Sequence, residues 1–253
     1  VKAPNPHLDY FAALVRDDAQ LPLTEAAIAL AQDAYPQLDV QTELVTLDAW
    51  GQQLRERIAF DAPPAFRLRA LRRFFYDELG FKGNREHYYD PANSYLNRVM
   101  ITRRGIPISL AVLLLELGQQ AGLQMHGIAF PGHFLLKVSA KVGEMHEIIL
   151  DPFSGAAERR ESLEERLAAQ AAAAGQRVQL ELLLRNASPR AVLVRMLRNL
   201  QAVYRHLQSW RNLLAVQHRL VILLPDAPAE RRERGLLHAR LGERDEAIED
   251  LQF

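Results

Sequence analysis

Cysteine is absent from all 253 residues. That excludes disulfides, thiolate metal sites and any thiol nucleophile. No apolar run approaches the ~20 residues that a transmembrane helix needs, so no membrane partner is expected. Neither sign of charge prevails, with 31 Lys+Arg against 31 Asp+Glu. A general nucleic-acid binder carries a basic excess, and this balance argues against one. Val1-Lys2-Ala3-Pro4 lacks a signal-peptide pattern, and the expected location is cytoplasmic. No His-x-His or His-Glu-x-x-His spacing occurs, so neither a metal nor another cofactor is expected.

What is present has the composition of a globular protein, 49% hydrophobic and 25% charged. Residues 8–58 read as helices. Leu8, Phe11, Leu14 and Val15 fall at helical spacing, as do Leu44, Leu47, Trp50 and Leu54, with a break at Pro36. Pro63-Pro64 ends this region. Residues 65–79 resume a helix with Leu68, Leu71, Phe74 and Phe75 on one side, and such stripes read as core packing. Gly80-Phe81-Lys82-Gly83-Asn84 is turn chemistry. A polar and aromatic stretch follows, from Tyr88 to Asn97, of the irregular kind that carries function.

Pro107 suits the first position of an apolar helix over 108–120, and Gly122 fits the position just past its end. Three strand-like runs come next, at 125–130, 133–139 and 147–150. Pro131-Gly132 separates the first two, and Lys141-Val142-Gly143-Glu144 separates the last two as a hairpin turn would. A helix followed by meandering antiparallel strands predicts an α+β fold. Residues 161–174 read as a helix that Gly175 interrupts. Ser188 as N-cap and Pro189 at the first helical position mark a boundary, so two regions are expected, 1–187 and 188–253. Beyond it Tyr204-x-x-Leu207 recurs as His238-x-x-Leu241, a spacing of 34 that fits helical hairpin repeats. Gly235 and Ala247 provide the small residues that close helix packing needs.

Chemistry concentrates in four segments. They are Asn93-Ser94-Tyr95-Leu96-Asn97, Arg103-Arg104-Gly105-Ile106-Pro107-Ile108-Ser109-Leu110-Ala111, Phe130-Pro131-Gly132-His133-Phe134-Leu135-Leu136-Lys137 and Ile149-Leu150-Asp151-Pro152-Phe153. In chain order they supply a helix N-terminus, a His at a strand start and an Asp at a strand end. A helix N-terminus stabilises a thiolate or oxyanion, a His can act as base, and an Asp can fix its tautomer.

The order and spacing resemble the transglutaminase-like branch of the papain-like fold. That branch opens a helix with Gly-x-Cys-x-x-x-Ala and follows it with a strand His and a strand-end Asp. Here the pattern runs from Gly105 to Ala111, and Pro107 stands at the Cys position. His133 and Asp151 match the family's His and Asp. The fuller set of segments is similar to a bacterial family of SirB type, which joins such a core to tetratricopeptide repeats. The resemblance implies a papain/transglutaminase-like core after a mostly helical N-terminal region, and tetratricopeptide-type hairpins at the C-terminus.

Two functions follow as expectations. The first is a non-catalytic module that binds a protein or peptide partner through the repeat tail. The second is a hydrolase or acyltransferase that uses His133 and Asp151 with Ser109 or an activated water. Two residues along a helix turn a side chain by about 200°, so Ser109 is expected to point away from the Cys direction. Its simpler role is to bond free groups of the helix start. His133 and Asp151 equally fit a structural pair, and Asp151 also fits a strand-end cap. Arg104 fits an anion contact or a brace for Asp151, and Asn93 and Asn97 fit substrate contacts or loop anchors. A weaker metal reading gathers His126, His133, His146, Glu144, Glu147 and Asp151. The Arg-rich stretch from Arg190 to Arg219 reads as a solvated repeat surface, because acidic residues follow it.

Overall fold

A computed structural model of the chain describes residues 5–142, 145–174 and 179–252. The features expected at residues 1–4, Gly143, Glu144 and Gly175 lie outside the described residues.

Asn5 opens α1 (Pro6–Leu14) by accepting the Leu8 N–H. α2 (Leu23–Ala29) tightens into a 3₁₀ turn over Leu30–Asp33. Asp39 caps α3 (Val40–Arg55). α4 (Pro64–Arg72) starts on a proline, which lacks the N–H that would be orphaned there, and runs into a π-helical turn over Arg73–Glu78. Leu68, Leu71, Phe74 and Phe75 are all buried, as their spacing predicts.

β1 (Lys82–Gly83) leads to a 3₁₀ turn at Pro91–Ser94 and then α5 (Leu96–Thr102). β2 (Arg104–Gly105) pairs in parallel with β1. α6 (Pro107–Gln120) follows at once and ends before Gly122, which takes a positive φ. Residues 107–114 of α6 are buried on every side, so this helix is the axis of the core.

β3 (Gln124–Ile128), β4 (Leu135–Val142), β5 (Met145–Leu150) and β6 (Ala157–Glu158) form one antiparallel sheet in that order. Three details differ from the sequence reading. Lys141 and Val142, expected in the hairpin turn, belong to β4. His133 is in the turn before β4 and not on the strand itself, because its N–H bonds Phe130 O at 3.0 Å and extends the Pro131-Gly132 turn. β6 adds a fourth strand that is too short to show alternation. α7 (Arg160–Ala174) and α8 (Leu180–Leu183) help bury a small second core of Ile128, Phe130, Leu135, Leu163 and Leu180.

Ser188 accepts the Ala191 N–H and caps α9 (Pro189–His206). α10 (Trp210–Leu223), α11 (Pro228–Leu241) and α12 (Arg244–Leu251) follow, each packed on its predecessor. A Cβ on Gly235 would sit 2.8 Å from the Leu251 side chain, so a larger residue there would have to displace α12 side chains. Inside the hairpins Gln201 donates to Gln217 at 2.7 Å. Gln217 in turn donates to the Glu230 carbonyl and carboxylate at 2.9 and 2.8 Å.

One apolar core runs from Phe11 through Leu113 to Leu197 and Leu237. Two polar ties cross it. Arg219 on α10 bonds Asp33 in bidentate fashion at 2.7 and 3.0 Å, and the Tyr95 and Tyr204 hydroxyls meet at 2.7 Å. Among the described residues no helix is long and apolar enough to cross a membrane.

Candidate functional site

The start of α6 is built around Ser109. Ile106 precedes the helix and has no side-chain oxygen to cap it. Ser109 supplies that oxygen, accepting the Ile106 N–H at 3.1 Å. Its own proton goes to the Asn93 carbonyl at 2.6 Å, with the Ile106 carbonyl at 3.1 Å. Its side chain is wholly buried, and no described hydrogen bond joins it to His133. Pro107 occupies the first helical position and is also buried.

Residues 82–84 stitch this helix start to the Asp151 turn. The Asn84 N–H bonds Gly105 O at 2.9 Å, and the Gly83 N–H bonds Phe153 O at 3.2 Å. The turn itself closes through the Asp151 N–H on Ala156 O and the Gly155 N–H on Asp151 O, at 2.9 and 2.8 Å. Gly155 has φ +73°, and an added Cβ would strike the Tyr76 ring at 2.8 Å, so the position requires glycine. The Tyr76 hydroxyl donates to Pro152 O at 2.9 Å and holds the turn from outside.

His133 and Asp151 meet within this frame. His133 Nε2 lies 2.8 Å from Asp151 Oδ1. The same carboxylate accepts the Phe153 N–H at 2.8 Å and the Ser154 hydroxyl at 2.7 Å. Burial pushes the Asp151 carboxyl up. The bonds from His133, Ser154 and Phe153 outweigh that and hold it below the usual carboxylate range. Asp151 is therefore both the partner of His133 and the cap of its own turn. The His133 side chain is 23% exposed, and no described hydrogen bond reaches its Nδ1. That nitrogen can exchange a proton with a bound group or water.

The remaining sequence candidates have other partners. Asn93 is buried and anchors the 84–90 loop, donating to His87 O at 2.6 Å and accepting from Asn84 Nδ2 at 2.9 Å. Asn97 is buried, and its Oδ1 has no hydrogen-bond partner. Arg104 donates to Arg103 O at 3.0 Å and Gly80 O at 3.3 Å, and no described bond joins it to Asp151. Ser154, Tyr76 and Asn84 were not singled out by the sequence. Ser154 and Asn84 had a local signal, since Asp-x-x-Ser and the Gly80–Asn84 segment are turn chemistry, and Tyr76 had none. Tyr88 lies 6.0 Å from Phe153, edge to face, and puts the polar-aromatic loop beside the Asp151 turn.

The described residues contain no group of three His, Asp or Glu side chains able to hold a metal. Of the metal candidates, Glu144 and the side chain of His146 lie outside the described residues.

Comparison with known proteins adds to this geometry. The family model described as "Transglutaminase-like superfamily" matches residues 41–198, and the tetratricopeptide repeat model matches residues 200–253. A UPF0162 protein of Xylella fastidiosa (strain Temecula1 / ATCC 700964) is 36% identical over 241 residues, covering 93% of this chain and 84% of the relative. A UPF0162 protein of Vibrio cholerae is 30% identical over 235 residues, covering 91% of this chain and 84% of the relative. Human F-box only protein 21 is 46% identical over 70 residues, covering 28% of this chain and 11% of that protein. No solved structure matches the chain. With the helix start, the His133–Asp151 pair and the repeat hairpins in one chain, this protein belongs to the UPF0162 family of the transglutaminase-like superfamily, with a C-terminal tetratricopeptide repeat.

Proposed function

We propose that this chain is a non-catalytic transglutaminase-like module that binds a protein or peptide partner. In this reading residues 1–187 form the recognition core. Residues 188–253 form the tetratricopeptide tail that engages the partner, as helical hairpins of this kind do along an extended surface. The SirB-type resemblance of the core segments fits the same reading, and the expected setting is the cytoplasm.

The observation that carries the proposal is Pro107 at the place of the family's Cys, in a chain that has no cysteine. A proline has no nucleophilic atom. Ser109, the nearest hydroxyl, supports the reading because it is buried and bonded to Asn93 O. His133 and Asp151 then serve as a structural or ligand-contacting pair, and Asn93 and Arg104 as loop anchors.

A serine-directed fluorophosphonate tests this on the native chain. The expected result is no covalent adduct by intact mass. An adduct that disappears in Ser109→Ala would overturn the reading.

One observation favours a second reading. The His133 side chain is partly exposed while its Nε2 is held by Asp151, as in a base that activates water. Hydrolysis of an activated acyl ester that His133→Ala abolishes would establish that hydrolase, without any adduct on Ser109.

A further inference from the structure

β3 is the outer strand of its sheet, and β4 covers only one of its edges. On the other edge the Gly127 carbonyl accepts the Ala187 N–H at 2.8 Å. Backbone groups along a strand alternate with a period of two, so the N–H and C=O of Met125 point to this same edge. No described hydrogen bond reaches them. The chain therefore already pairs one of its own residues to this edge and leaves the next pairing position open. An edge of this kind is a template for another strand.

The open edge faces a groove of about 880 Å³ between the start of α2, α6 and β3. Leu23, Leu44, Leu115, Leu123 and Val192 supply its apolar surface. Among the described residues its carboxylates are Glu25 and Glu116, and His126 also lines it while no Lys or Arg does. Glu116 accepts from Thr24 Oγ1 at 2.6 Å and from Gln120 Nε2 at 2.9 Å. Glu25 accepts from the Tyr10 hydroxyl and from Gln41 Nε2 at 3.4 Å. All four donors are neutral. Burial, reinforced by the bond to Glu25, pushes the Tyr10 phenol up to about 12, so it remains a neutral donor at physiological pH. Two half-buried carboxylates thus lie in an apolar groove with no Lys or Arg against them among the described residues.

We propose that this groove binds an extended, basic segment of a protein partner, which adds to the free edge of β3 and sets a Lys or Arg against Glu25 and Glu116. Main-chain bonds to Met125 give the segment its register. The alternation of a strand then places apolar side chains on the leucines and the cation on the carboxylates. The surface takes Pro189 and Val192 from α9 and its carboxylates and open strand edge from residues before 188, and it stands whether or not His133 is catalytic.

The probe is a capped heptapeptide of alternating lysine and valine, labelled with fluorescein, and its control replaces lysine with glutamate. Fluorescence anisotropy with the full chain is expected to show saturable binding of the lysine peptide and at least about tenfold weaker binding of the control. Glu25→Gln/Glu116→Gln is expected to weaken the lysine peptide by about tenfold or more. On the unaltered chain, saturating peptide is expected to slow Met125 amide exchange by about tenfold or more. This last measurement needs no variant to fold. Equal affinity for the two peptides, or no loss in the double variant, would overturn the proposal. So would binding that leaves Met125 exchange unchanged, which is how a small cationic amphiphile held by charge and grease alone would behave.

Discussion

Ser109 and Asp151 show how single side chains at this site divide between structure and chemistry. Ser109 spends its hydroxyl on the main chain at both ends of its bonding capacity, accepting from Ile106 and donating to Asn93. Asp151 does two jobs with one carboxylate. Its folded carboxyl titrates below its unfolded value because His133, Ser154 and the Phe153 N–H donate to it. The stabilisation is present above the unfolded value, near pH 4, and is lost as pH falls through the lower folded value. Asp151→Asn should therefore be less stable than the native chain at pH 7, with the gap closing below about pH 4. Urea midpoints measured from pH 7 down to pH 3 check this. A gap that stays constant with pH would mean that the charge contributes nothing. The pairing of His133 with Asp151 and the place of Pro107 at the start of α6 were legible in the sequence because motif order carries them. The bonds of Tyr76 and Asn84 were not, because each joins segments brought together only by the fold.

Elements were legible where their period was long enough to register. The stripes of α3, α4 and α6, the proline that starts α6 and the Gly122 that ends it follow from helical spacing and terminal chemistry. β1, β2 and β6 have two residues each and no period to read. Their stability comes from distant partners, as when the Lys82 N–H bonds Arg103 O at 3.0 Å. The His133 turn was missed for a related reason. The strand-like residues after Gly132 are apolar enough to extend β4 backward, and only the Phe130 bond stops it. Gly235 is the sharpest element-scale test. A Cβ there would meet Leu251 at 2.8 Å and Asp250 at 3.1 Å, so Gly235→Val should destabilise the chain by about 1–3 kcal/mol. The loss should be concentrated in α12, seen as faster amide exchange over 244–251 than elsewhere. Uniform acceleration would mean that the hairpin does not depend on this close approach.

The whole molecule is held by a core that passes from the transglutaminase-like region into the repeat helices. Leu200, Tyr204, Leu213 and Leu237, all within the repeat match, share one apolar cluster with Leu113 of α6. Burial pushes the phenols of Tyr95 and Tyr204 up, so they remain a neutral pair across this seam. The buried guanidinium of Arg219 pairs with Asp33 and lies 4.7 Å from the Phe11 ring. Removing one partner of a buried pair leaves the other without compensation, so Arg219→Ala should cost about 3–5 kcal/mol. The native chain should melt in one calorimetric transition, and two resolved transitions would mean that core and repeat are uncoupled. The sequence showed the repeat but placed Arg219 on a solvated surface, whereas it is buried on Asp33, a partner 186 residues away that no local pattern reveals.

If only the nucleophile separates this site from a thiol site, Pro107→Cys should restore thiol chemistry. The native chain has no cysteine, so alkylation by iodoacetamide reports that single position. Followed against pH, the thiol of Pro107→Cys should titrate well below the ordinary value of about 8.5 and return toward it when His133→Ala is added. A thiol that titrates at the ordinary value, or that ignores the loss of His133, would contradict the account.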